Sequence, residues 1–72
     1  MDHHYHINLF WSKEDLVWIA DVPDLKPCSA HGDTPAEAIA EVQTAIRMWL
    51  DYAREHGHPV PEARYRPAIY AA

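Results

Sequence analysis

The sequence is poor in cysteine, in basic residues and in long apolar runs. Its one cysteine, Cys28, can form neither an internal disulfide nor a cysteine-based metal cluster. Six Lys and Arg stand against eleven Asp and Glu, which gives a formal charge of −5. Because a phosphate backbone requires a basic stripe, we expect no direct binding to nucleic acid. An acidic surface is better suited to a basic protein partner.

The lack of long apolar runs also argues against a membrane protein. No segment approaches the ~20 apolar residues that are needed to cross a bilayer. Residues 1–4, Met-Asp-His-His, have neither the basic region nor the apolar run of a signal peptide. We therefore expect a cytoplasmic protein that forms one domain over residues 1–72. A domain of this size has marginal stability, and association with a second copy is a common remedy.

Two segments near the N-terminus show the apolar alternation of β-strands. The first runs from Tyr5 to Trp11, and its odd-numbered residues share one face. The second runs from Leu16 to Val22, and its even-numbered residues share a face that begins with Leu16. Val17 and Ile19 lie on the opposite face, as does Phe10 of the first segment. Both faces of the predicted hairpin therefore carry large apolar groups.

The clearest helix signal begins at Thr34, which suits the N-cap position. Pro35 fits the first helical position, and Glu37 stands three residues after the cap, which together form a capping box. Apolar residues then recur every three or four positions, so we predict an amphipathic helix from about Pro35 to His56. Gly57 is a natural residue to end it.

The remaining segments complete an α+β fold. Cys28 to His31 could form a short third strand, and Arg64 to Ala72 predicts a last strand at an edge of the sheet, because it contains Pro67. The order β-β-β-α-β predicts an antiparallel three- to four-stranded sheet with one long helix packed on one face. The apolar residues left over by this packing suggest an interface for a homodimer, a higher homo-oligomer, another protein, or both kinds of partner. The candidate interface residues are Phe10, Trp11, Val17 and Ile19.

Two motifs in the centre of the chain resemble a known family. Trp18 to Leu25 has the sequence W-I-A-D-V-P-D-L, Cys28 follows, and Gly32 to Ala38 has the sequence G-D-T-P-A-E-A. Trp49 and the segment 57–61 after the helix also fit the pattern. In this order and spacing the chain resembles the N-terminal domain of HicB-type antitoxins. The matching motif residues are Pro23, Asp24, Leu25, Cys28, Gly32, Asp33, Thr34 and Glu37.

The resemblance implies a partial ribonuclease-H-like fold that lacks nuclease activity. It also implies a function, which is to neutralise a small, basic, HicA-type toxin that cleaves mRNA. Two departures matter. Lys26-Pro27 stands where the family usually has Pro-Gly, so the loop geometry must differ. The chain also ends after its predicted last strand, so we expect no C-terminal DNA-binding domain, and an orphan domain that associates only with itself remains an alternative.

The residues permit three chemical alternatives, none of which we expect. A two-metal nuclease needs converging carboxylates, and the turn, the helix cap and a loop already explain most of the candidates. The histidines form two pairs, one on the first strand and one at the end of the helix. A structural zinc site needs four ligands, and each pair supplies only two. Cys28 would need a base such as His31 nearby to act as a nucleophile, and their spacing does not favour this. We therefore predict no enzyme activity, no metal and no cofactor. The carboxylates are Asp21, Asp24, Asp33 and Glu37, and the histidines are His4, His6, His56 and His58.

Overall fold

A computed structural model describes residues 4–66 of the chain. Three strands precede one long helix: β1 (Asn8–Ser12), β2 (Val17–Asp21), β3 (Ser29–Gly32) and α1 (Pro35–Glu55). The strands form an antiparallel sheet in the order β1-β2-β3. This confirms the predicted α+β fold with β-β-β-α order. Of the predicted last strand, residues 64–66 have no regular structure and residues 67–72 lie outside the described part of the chain.

The turn between β1 and β2 corrects one prediction. Leu16 was expected to begin the second strand with its side chain facing the core, but β2 begins at Val17. The Leu16 N–H donates to the Ser12 carbonyl over 2.8 Å and so closes the turn. Leu16 therefore adopts φ 56°, in the left-handed region, and its side chain is 70% exposed. The hydrogen bond that closes the turn thus replaces strand pairing at Leu16.

One face of the sheet packs against α1 to form the core. Ala20 pairs with Ala30 across the β2–β3 ladder, and cross-strand partners share a face. Ala20 is fully buried, whereas Trp18 and Ala30 are partly buried against the same cluster. α1 contributes one apolar stripe, as its periodicity predicts. The buried core residues are Tyr5, Ala20, Val22, Leu25, Cys28, Ala38, Val42, Leu50 and Ala53.

Both ends of α1 are capped by local hydrogen bonds. The Thr34 hydroxyl accepts from the Glu37 N–H over 3.1 Å, as the sequence predicts. The Glu37 carboxylate accepts in turn from the Asp33 N–H, which lies one residue before the N-cap. At the other end, Gly57 has φ 68° and lets the His58 N–H reach the Ala53 carbonyl, which forms a Schellman motif. Within residues 4–66, no helix has the length and apolar character that spanning a bilayer requires.

The start of α1 depends on a close approach at Gly32. A Cβ atom built there would lie 2.6 Å from the Ala38 nitrogen and 2.6 Å from the Glu37 Cβ. Real Cβ contacts do not reach that distance, so any side chain would push the helix away from β3. Gly32 thus sets how closely the helix packs on the sheet.

A second local arrangement holds the segment after the helix. Val22 to Leu25 forms a turn, with the Leu25 N–H donating to the Val22 carbonyl over 3.1 Å. The Asp24 carboxylate in this turn accepts from the Arg64 N–H over 2.9 Å and from the Tyr65 N–H over 3.0 Å. The Tyr5 hydroxyl also donates to the Pro61 carbonyl. These bonds hold the segment 61–65 against the loop that follows β2. The Lys26–Pro27 bond in that loop is cis.

Gly32→Ala should destabilise the domain by about 1–3 kcal/mol, because the added methyl overpacks the helix–sheet contact. Gly57→Ala is the matched control, since it meets no neighbouring atom and carries only the cost of its positive φ, about 1 kcal/mol. Urea unfolding followed by tryptophan fluorescence measures both variants. If Gly32→Ala costs no more than Gly57→Ala, the close approach does not limit packing.

Asp24→Asn should loosen the segment 61–65, because the amide loses the charge and one acceptor oxygen. We expect the Arg64 and Tyr65 amides to exchange with solvent about fivefold faster, which corresponds to about 1 kcal/mol. Asp21→Asn is the control, because the structure gives Asp21 no bond to this segment. Unchanged exchange in Asp24→Asn would mean that other contacts hold the segment.

Candidate protein-binding surface

The sheet face that points away from α1 is the candidate site, and we call it the outer face. The strand register identifies its residues, because cross-strand partners share a face. Phe10 pairs with Ile19, and Ile19 pairs with His31. No helix or strand within residues 4–66 packs over it. The outer face consists of Asn8, Phe10, Ser12, Val17, Ile19, Asp21, Ser29 and His31.

Large apolar side chains form the centre of the outer face. Phe10 is 48% exposed and stands directly opposite Ile19, which is half-buried. Val17 lies two positions along the same strand, so it shares the face with Ile19. A concavity of about 430 Å³ adjoins Val17 and Ile19 and extends to Ser29 and His31. An apolar centre beside a concavity is typical of a surface that receives another molecule.

Polar and acidic groups surround this apolar centre. Asp15 lines the concavity at the hairpin end, and Asp21 lies at the other end of β2, opposite Asn8. His31 borders the concavity on β3 and is exposed. This arrangement follows the pattern of protein interfaces, in which a desolvated apolar centre has a polar rim.

Trp11 differs from the other predicted interface residues. It pairs with Trp18 across β1 and β2, and the two rings meet edge to face with centroids 5.7 Å apart. This register places Trp11 on the helix-facing side of the sheet, where its side chain is 45% exposed. The structure therefore brings together Phe10, Val17 and Ile19 and leaves Trp11 on the opposite face.

The candidate carboxylates have separate structural roles. Asp24 holds the segment 61–65, Glu37 bonds the Asp33 N–H, and Asp21 lies on the outer face. Within residues 4–66, no three His, Cys, Asp or Glu side chains form a group that could hold a metal ion.

Of the candidate histidines, only His56 and His58 stack on each other, with ring centroids 6.2 Å apart, among the contacts described for residues 4–66. His6 bonds the Asn8 side chain over 2.6 Å, and its ring lies 4.8 Å from that of Tyr65. His56 stacks on Tyr52 at the end of α1, with centroids 4.0 Å apart. Cys28 is buried on the helix-facing side, whereas the alternation of β3 places His31 on the outer face.

The pKa values of two core residues, Cys28 and Tyr5, are raised above their usual values, and burial is the main cause. Burial raises the pKa of the Cys28 thiol, and the nearby charge of Asp21 raises it further. A thiol with a raised pKa is a weak nucleophile at neutral pH, since the thiolate is the reactive form. Burial also raises the pKa of the Tyr5 hydroxyl, with a further contribution from Asp24.

Sequence reasoning did not identify His31, which lies on the outer face, or Asp15, which lines the concavity beside it. The sequence suggested for His31 only the role of a base for Cys28. The alternation from buried Cys28 through Ala30 would have placed Ser29 and His31 on the outer face. The position of Asp15 beside the concavity depends on the turn at Leu16, for which the sequence has no clear signal.

Comparisons with known proteins agree with the resemblance that the central motifs carry. The family model described as "HicB_like antitoxin of bacterial toxin-antitoxin system" matches residues 5–69. The chain is also similar to UPF0150 protein Ta0767 of Thermoplasma acidophilum, with 31% identity over 48 residues that cover 67% of this chain and 70% of that protein. No solved structure shows a significant match. Because this family model matches almost the whole chain, the chain belongs to the HicB-like antitoxin family of bacterial toxin–antitoxin systems.

Proposed function

We propose that this chain neutralises a small, basic, HicA-type toxin by binding it through the outer face. The observation that carries the proposal is the unpacked apolar centre of Phe10, Val17 and Ile19 on a sheet whose other face is already covered by α1. Membership of an antitoxin family implies a toxin as a partner in general. A toxin that cleaves mRNA acts in the cytoplasm, where we accordingly place the complex.

The apolar centre would supply most of the binding free energy. Burying a Phe, Ile or Val side chain completely is worth about 1.5–3 kcal/mol. The gain from such anchors must exceed the loss of translational and side-chain freedom on association. Interfaces meet this requirement by concentrating their energy in a few central, desolvated residues. Phe10, in register with Ile19, is suited to that role.

The charge of the chain would direct the encounter with the toxin. The formal charge is −5, and Asp15 and Asp21 lie at the two ends of the outer face. A toxin that binds RNA needs a basic surface, so the two potentials are complementary over a Debye length of about 10 Å. Complementary charge mainly raises the association rate and selects the partner. Contact with that basic surface would exclude mRNA, so the antitoxin itself needs no chemical activity, cofactor or metal.

A homodimer through the same face is the alternative arrangement. The outer face could pair with its own copy around a twofold axis, because an isologous interface needs only one self-complementary patch. This would describe an orphan domain without a toxin partner. The proposal instead predicts that the toxin competes with any such self-association.

Co-expression with a small basic HicA-type toxin tests the proposal, and a gene for such a protein beside that of this chain is the first choice. We expect the wild-type chain to rescue growth and to co-purify with that protein. Ile19→Asp should abolish rescue and weaken binding by about a hundredfold, because it buries a charge in the apolar centre. Gln43→Asp is the matched control, since it adds the same charge on an exposed helix position away from the outer face.

Circular dichroism must show that Ile19→Asp remains folded, as its position outside the core predicts. Rescue by Ile19→Asp at the wild-type level would exclude the outer face as the binding surface. If the wild-type chain neither rescues growth nor co-purifies, the proposed toxin binding is wrong. A stable dimer in analytical ultracentrifugation would then support the orphan domain.

A further inference from the structure

The second surface of interest is the open edge of β3, which lies at the end of the described sheet. The Val22 N–H donates to the Cys28 carbonyl over 3.0 Å, in the same register as the β2–β3 ladder. In an antiparallel ladder, residue pairs that exchange hydrogen bonds alternate with pairs that do not. Ala30 lies two residues after Cys28, so it is the next residue of the chain that bonds to β2. Ser29 and His31 therefore point their N–H and C=O groups away from β2. The edge thus presents backbone donors and acceptors to a further strand.

Concavities flank this edge on both sides of the sheet. The concavity of the outer face reaches it beside Val17 and Ile19. A groove of about 680 Å³ lies on the helix side, between β3 and the exposed flank of α1. Ser29, Ala30 and His31 line both spaces. A strand added at the edge would have room for its side chains on either side.

The two concavities differ in the number of carboxylates that line them. Val17 and Ile19 make the outer side apolar, with Asp15 at its border. Asp33, Glu37 and Glu41 line the groove on the helix side, and none of the described residues that line it is a lysine or an arginine. Because strand side chains alternate between faces, a complementary strand would carry apolar residues toward Ile19 and basic residues toward Glu41.

We propose that the edge of β3 receives an extended segment of the partner protein in which apolar and basic residues alternate. The main chain of that segment would pair with Ser29 and His31, and its side chains would fill the two concavities. Strand addition of this kind takes affinity from the backbone and specificity from alternate side chains. The inference rests on the proposed function, because it places this contact beside the apolar centre that the toxin is proposed to cover.

A seven-residue peptide of alternating lysine and valine tests the edge without the toxin. In ¹⁵N-labelled protein we expect the Ser29 and His31 amides to shift and to exchange more slowly when the peptide is added. A glutamate–valine peptide of equal length is the control, and it should bind at least about fivefold more weakly. Equal binding of both peptides, or no effect at Ser29 and His31, would overturn the proposal.

Two variants extend the test to the complex with the small basic protein. His31→Pro removes one outward N–H without touching the ladder to β2, and it should weaken both the peptide and the protein complex. Glu41→Lys should weaken them about fivefold, whereas Glu55→Lys, the same charge change outside the groove, should not. If the protein binds His31→Pro and Glu41→Lys as tightly as the wild type, the edge contact is wrong and the outer-face proposal stands. If the peptide docks at the edge but no toxin binds, the edge contact stands and the proposed function fails.

Discussion

One helix can bury only one face of a sheet, and this limit determines what the rest of the domain can do. α1 covers the side that carries Ala20 and Ala30, at a separation set by the close approach at Gly32. Within residues 4–66, no helix or strand packs over the apolar residues that the strand alternation assigns to the other side. In the proposed complex the partner completes the burial of Phe10 and Ile19, and apolar area removed from water is the main source of stability available to so small a domain.

The distribution of charge complements this division. Carboxylates border the apolar centre at Asp15 and Asp21, and a second group lies along the groove at Asp33, Glu37 and Glu41. In the proposed complex the apolar residues would supply affinity, and the carboxylates would favour a basic partner over other apolar surfaces. Membership of the HicB-like antitoxin family gives this combination a biological setting, because an antitoxin implies a toxin as its partner. The outer face and the β3 edge would together form one continuous contact surface.

Much of this arrangement follows from local sequence patterns, and some of it does not. Alternation in residues 5–22 predicts which side of the sheet Phe10 and Ile19 occupy, since a period of two leaves little freedom. Thr34, Pro35 and Gly57 predict the ends of α1 because capping chemistry is local. The bonds from Asp24 to residues 64 and 65 join segments that are far apart in the chain, and no local pattern encodes them. The turn at Leu16 is closed by a local bond to Ser12, but the sequence has no clear signal for it, and the place of Asp15 beside the concavity depends on that turn.

The most direct test of the account is a chemical-shift map of the labelled chain in the presence of the small basic toxin that we propose as its partner. The account predicts that the largest perturbations fall on Phe10, Val17, Ile19 and His31, while exposed helix positions such as Gln43 and Arg47 stay close to their free values. Perturbations centred on Gln43 and Arg47, with the outer face unchanged, would contradict it.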